Sequence, residues 1–177
     1  VAAGTTLSSL ENALGLHAAI VRAMPNTPAS VGHGITALIG NGSSSKKDIG
    51  EAEQLMSAVG QTIVLENEDQ MDAVTGVSGS GPAYLFYMIE ALALAGEEQG
   101  LPSEMAMKLS IATLAGAGAL ASQSSETAEQ LRINVTSPNG TTQAALQVLM
   151  NEGAGLKSLM TQTVTAATMR SKELSNG

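Results

Sequence analysis

Residues 61–77 read "QTIVLENEDQMDAVTGV", and the change of pattern inside this stretch decides the fold. "QTIVLE" (61–66) is a short apolar run with β-branched residues, which predicts a strand. "NEDQMDAVTGV" (67–77) opens on acidic and amide residues and continues at helical spacing, which predicts a helix. Every other strand signal lies upstream. "HAAIVRAM" (17–24) and "GITALIG" (34–40) predict two more strands, and "TLSSLENALG" (6–15) and "SKKDIGEAEQLMSAVG" (45–60) predict helices stopped by glycine. Helices alternating with short apolar strands indicate α/β layering. Downstream, 81–100, 101–123, 141–150 and 155–174 all predict helices. The helix after Pro82 is apolar on every side as far as Ala95, so it is expected to be buried all round, in a core or a subunit interface. The chain therefore divides into an α/β part, 1–66, and an all-helical part, 67–177.

Composition narrows the function. The 177 residues carry a net charge of −8, and no basic cluster exceeds Lys46–Lys47, so phosphate-driven nucleic-acid binding is not expected. There is no cysteine, which removes disulfide and thiolate chemistry and fits a cytoplasmic location. No uninterrupted apolar run is read as long enough to span a bilayer, so no membrane partner is expected. Aromatic residues make up 2% of the chain, so its core must be aliphatic. His17 and His33 have no partner at metal-ligand spacing, and no metal is expected.

Three stretches can carry chemistry. "VSGSGPAY" (77–84) reads as a Gly/Ser-rich loop, either an anion nest or a close-packed helix entry. "MPNTP" (24–28) ends a strand, as a ligand loop of a parallel sheet or as a plain turn. "TSPNGTTQAALQVL" (136–149) places Thr142, Ala145, Leu146, Leu149 and Met150 on one apolar face if a helix begins near Thr141. Thr142 then points inward at the first turn of a buried helix. Its hydroxyl and the free first-turn N–H groups would converge there and suit a carboxylate. A capped helix with a satisfied core threonine accounts for the same residues.

"LRINVTSPNGTTQAALQVL" (131–149), "MDAVTGVSGSGPAYLF" (71–86), "VRAMPNTP" (21–28) and "AAGTTL" (2–7) together resemble pyrroline-5-carboxylate reductase in order and spacing, over nearly the whole chain. The resemblance implies the end of a Rossmann-type dinucleotide-binding domain (1–66). It implies next an all-α substrate-binding and dimerisation domain (67–177) of the 6-phosphogluconate-dehydrogenase C-terminal kind. It implies reduction of 1-pyrroline-5-carboxylate to L-proline by NADPH or NADH, in a homodimer or a higher oligomer. Thr142 would be the catalytic residue. Glu68, Ser137, Gly140, Thr141 and Thr142 would bind substrate, and Ala3, Asn26 and Asn134 would bind the cofactor. The family's Gly-rich phosphate loop precedes the region given, so these 177 residues alone are expected to be inactive. Asn139 stands where the family commonly has glycine, and Met150 where an acidic residue is common. Asparagine tolerates positive φ, so the turn should survive.

Two other readings stand beside this one. A related imine or β-hydroxyacid reductase would place a lysine or another strong acid in the site, and Lys46, Lys47, Lys108, Lys157 and Lys172 lie outside the motifs. A non-catalytic dimerisation module is the other.

Overall fold

The computed structural model describes residues 4–175, so Ala3, expected at the cofactor, lies outside the described residues. The fold is rich in helix, with one small sheet of three strands in the order β1-β2-β3. All three strands precede residue 66: β1 (Val21–Met24), β2 (Gly34–Gly40) and β3 (Gly60–Val64). Packing gathers the chain into two compact units, Val1–Pro82 with Gln162–Gly177, and Ala83–Thr161.

Connection length sets strand direction in the first unit. Between β1 and β2 there is room only for a 3₁₀ turn (Thr27–Val31), so the pair is antiparallel, with Val21 opposite Gly40 and Met24 opposite Ala37. Between β2 and β3 runs a whole helix, α2 (Lys46–Ser57), and that crossover makes the pair parallel, Gly34 opposite Gly60. "MPNTP" therefore follows an antiparallel strand, and the parallel-sheet argument for a ligand loop there does not hold. β2 is the middle strand, and its unalternating "GITALIG" matches burial on both faces. Around it Leu7 of α1 (Leu7–Leu14), Ile20, Ala37, Ile39 and Met71 form the core, with Leu10, Met24, Leu65 and Val74 against them.

β1 is half the length expected from 17–24, and Asn41 is the reason. Its buried amide accepts from Ile20 N–H at 3.1 Å and donates to Ala18 O at 3.0 Å and Glu11 Oε1 at 2.9 Å. A side chain thus serves the backbone that a neighbouring strand would otherwise serve.

The Gly/Ser-rich stretch is not a loop. α3 (Gln70–Val74) runs through one π turn (Thr75–Gly79) into α4 (Gly81–Glu98). Ser80 N–H bonds Thr75 O at 2.8 Å, so this donor is spent inside the helix, as the reading of a close-packed helix entry has it. The last helix, α8 (Leu156–Ser175), approaches closely at this turn: a Cβ on Gly76 would strike Thr168 Oγ1. Further along, Ser171 Oγ donates to Asp72 Oδ1 at 2.6 Å.

In the second unit, Gly100 (φ +93°) ends α4, and α5 (Ser103–Gln123) follows. Gly96 of α4 faces Ala106 of α5, and Ala93, Ala106 and Ser110 are the buried residues of these helices. Burial all round is not what the single chain provides: Phe86 is 60% exposed and Tyr87 72%. A helix apolar on every side needs more cover than one chain supplies. α5 is also long and apolar enough, by length and composition, to cross a membrane, contrary to the sequence expectation. Its many small residues keep it apolar on average although Glu104 and Lys108 interrupt it. α6 (Ala128–Asn134) was not expected, and α7 (Thr141–Leu149) begins where predicted.

Candidate active site

The loop between α6 and α7 holds Ser137, Gly140, Thr141 and Thr142 together. Thr136 Oγ1 closes α6 by donating to Arg132 O at 2.6 Å. The chain then turns at Asn139, whose φ of 59° makes it the non-glycine residue of positive φ among those described. This conformation costs asparagine little, so the turn survives its departure from glycine. Gly140 N–H bonds Ser137 O at 3.0 Å, and Asn139 N–H donates to Gln143 Oε1 at 2.6 Å. Gly140 is the N-cap of α7 and makes no side-chain cap, so Thr141 and Thr142 open the helix with uncapped N–H groups. Such groups and the helix dipole favour an anion.

Thr142 and Leu146 are half-buried, but no residue of α7 is buried. Leu149 is 48% exposed and Met150 55%. The inward face expected from spacing thus lacks its cover in one chain. Among the described residues, none is bonded to the Thr142 hydroxyl, and Ser137 and Thr141 are exposed.

Asn134 ends α6, where its amide donates to Glu126 Oε2 at 2.9 Å and accepts from Gln130 Nε2 at 2.8 Å. Each bond uses half of what a carboxamide offers, and the residue is exposed, so a donor and an acceptor remain.

Glu68 and Asn26 belong to the other compact unit. The Asn26 amide is engaged there: its Oδ1 accepts from Ile35 N–H at 3.0 Å and its Nδ2 donates to Ser78 Oγ at 3.2 Å. Glu68 Oε1 takes two bonds of 2.7 Å, from Arg22 Nη1 and from Leu7 N–H at the start of α1. The pair edges a polar cleft of about 410 Å³, with Thr6, Asp69, Asp72 and Lys172 among its lining. A larger hollow of about 530 Å³ against α5, by Met105 and Leu109, contains none of the motif residues. It lies on the open face of α5, with Glu104 and Lys108 also in its lining.

Sequence reasoning passed over Arg22 and Gln143. Arg22 is buried, and the signal was there: a lone charge inside the apolar run "IVRAM" needs a partner. Gln143, three residues into the expected helix, had the capping-box position. Among the described residues no group of three or more His, Asp or Glu could hold a metal ion.

Comparison with known proteins places the chain in a class. The family described as "Pyrroline-5-carboxylate reductase dimerisation" matches residues 68–174. A pyrroline-5-carboxylate reductase of Pseudomonas aeruginosa is 45% identical over 174 residues, 98% of this chain and 63% of that protein. A pyrroline-5-carboxylate reductase structure from Coxiella burnetii superposes with a TM-score of 0.94 at 44% identity, covering 99% of this chain and 64% of the other. A pyrroline carboxylate reductase structure from Plasmodium falciparum, with NADP bound, gives 0.86 at 31%, covering 98% and 68%. The chain belongs to the pyrroline-5-carboxylate reductase family, and it spans just under two thirds of the curated relatives it matches first.

Proposed function

We propose that the protein carrying this chain reduces 1-pyrroline-5-carboxylate to L-proline, the last step of proline synthesis, with NADPH or NADH. Residues 1–66 are then the remainder of a Rossmann-type dinucleotide-binding domain. Residues 67–177 are a helical substrate-binding and dimerisation domain of the 6-phosphogluconate-dehydrogenase C-terminal kind. The absence of cysteine fits a cytoplasmic protein.

One observation carries the reading: the uncapped start of α7 at Thr141 and Thr142, in the family's most specific motif. The N–H groups of Thr141 and Thr142 hold the substrate carboxylate. Ser137 and Gly140 shape the loop, and the glycine leaves its backbone open to approach. The Thr142 hydroxyl bonds the ring nitrogen as it becomes an amine. A threonine hydroxyl is too weak an acid to protonate an imine unaided, so the iminium arrives protonated or a water relays the proton through Thr142. The resemblance assigns Glu68 to the substrate as well, and its Oε1 is committed to Arg22 and Leu7.

The nicotinamide cofactor supplies the hydride. Asn134 fits a place beside it, because its exposed amide keeps a donor and an acceptor. Asn26, whose amide is engaged on both sides, would present backbone. The Plasmodium falciparum structure holds NADP.

The working form is a homodimer. The family description names dimerisation, and α4 and α5 leave Phe86, Tyr87, Leu94, Leu109 and Leu120 exposed in the single chain. A second copy covers them through 81–123 and α8.

The test is Thr142→Ala in the intact enzyme, assayed on pyrroline-5-carboxylate. We expect kcat/KM to fall about tenfold to a thousandfold with the fold retained, as for one positioned hydrogen bond in a dry site. Unchanged turnover removes Thr142 from the mechanism.

A further inference from the structure

We propose that Gln143 is a positioning residue for substrate: through Asn139 it fixes the loop that presents the Thr141 and Thr142 N–H groups. The inference rests on the functional reading above and concerns how its site is held. Asn139 and Gly140 contribute two N–H groups that could compete for an anion or leave the turn loose. Both are spent internally, Gly140 N–H on Ser137 O at 3.0 Å and Asn139 N–H on Gln143 Oε1 at 2.6 Å. What remains facing outward is the uncapped first turn of α7.

Gln143 stands at the third helical position, where a capping box would send its side chain to the N-cap N–H. That N–H is already bonded to Ser137 O, so Gln143 reaches one residue further, to Asn139. Its target is the residue at positive φ. Glycine would hold that conformation unaided, whereas asparagine gains from a fixed N–H. Gln143 is exposed, so it makes no contribution to a core.

A loop that orients carboxylate donors acts equally on substrate and transition state, because the carboxylate does not change during reduction. Loosening it raises KM and leaves kcat nearly unchanged. This separates Gln143 from Thr142, whose loss lowers kcat.

The experiment compares the intact enzyme with its Gln143→Leu, Asn139→Gly and Asn139→Gly/Gln143→Leu variants, using pyrroline-5-carboxylate and NADPH. We expect Gln143→Leu to raise KM for pyrroline-5-carboxylate about threefold to tenfold, the range of one neutral hydrogen bond, with kcat within about twofold. Thermal unfolding should be nearly unchanged. Adding Asn139→Gly should return KM to within about twofold of the unmodified enzyme, since glycine needs no brace. An unmoved KM in Gln143→Leu overturns the proposal, and so does a raised KM that Asn139→Gly fails to rescue. An unmodified enzyme with no turnover overturns the functional reading itself, and this inference with it.

Discussion

The sheet of the first unit and the α4–α5 pair of the second treat apolar surface in opposite ways. β2 is covered from both sides within the chain, with Leu38 at 0% exposure and Thr36 and Ala37 at 1%. In α4 and α5, residues as apolar as those of β2 stand in the open, Leu94 at 61% and Leu120 at 55%. Isolated exposed apolar residues occur on every protein, but a contiguous face of them marks an interaction surface. The first unit buries a core of its own, whereas α4 and α5 of the second leave apolar residues exposed in the single chain.

The largest expected effect breaks that contrast directly. Ala119→Glu in α5 puts an unpaired charge where a second copy would pack, and we expect loss of the dimer with aggregation or unfolding. Sedimentation of the intact protein at micromolar concentration is the check. A well-folded monomer would mean that these helices close their own core. Leu55→Glu, on the 74%-exposed outer face of α2, is the matched control and should leave association unchanged.

Leu38→Ala comes next and sharpens the other half. Removing the largest fully buried side chain of β2 should cost about 2–5 kcal/mol, by lost transfer and a residual cavity. Because that core lies within one chain, the loss read from urea unfolding should be the same across a hundredfold range of protein concentration. Destabilisation through the α5 face should instead depend on concentration, as for any coupled association.

The same contrast explains what the sequence disclosed. β2 was legible because an unalternating run between glycines has few uses other than a doubly covered strand. The start of α7 and the turn at Asn139 were legible because Pro, Asn and Gly act locally. The π turn was not: its glycine exists for Thr168, 92 residues away, and locally "VSGSG" resembles a loop. Nor was the bond between Arg22 and Glu68, which spans 46 residues. α6 was not read from the sequence, although Thr127 caps Gln130 N–H in the usual spacing. The burial of α4 and α7 was misjudged for one physical reason. Periodicity reports that a face needs cover, and it does not report whose atoms provide it.

The smallest expected effect isolates a purely local contribution from both regions. Asp48 completes a capping box at the start of α2: it accepts from Ser45 Oγ and Ser45 N–H, both at 2.7 Å, while its own N–H donates to Ser45 Oγ at 3.2 Å. The Ser45 side-chain bond, then its backbone bond, hold the Asp48 carboxyl below the ordinary aspartate range, with Lys47 adding a weaker pull. A carboxyl lowered in the folded state contributes stability above its unfolded value and loses it as pH falls through the folded one. Asp48→Asn should therefore lower the urea midpoint slightly at neutral pH, and the two proteins should converge in acid below the aspartate range. The group lies at the surface, so the difference stays small, and it should not vary with protein concentration. A gap that persists undiminished in acid would show that Asp48 acts by something other than its charge. One that grew on dilution would place α2 on the shared surface, beside α4 and α5 and against the contrast drawn between the two units.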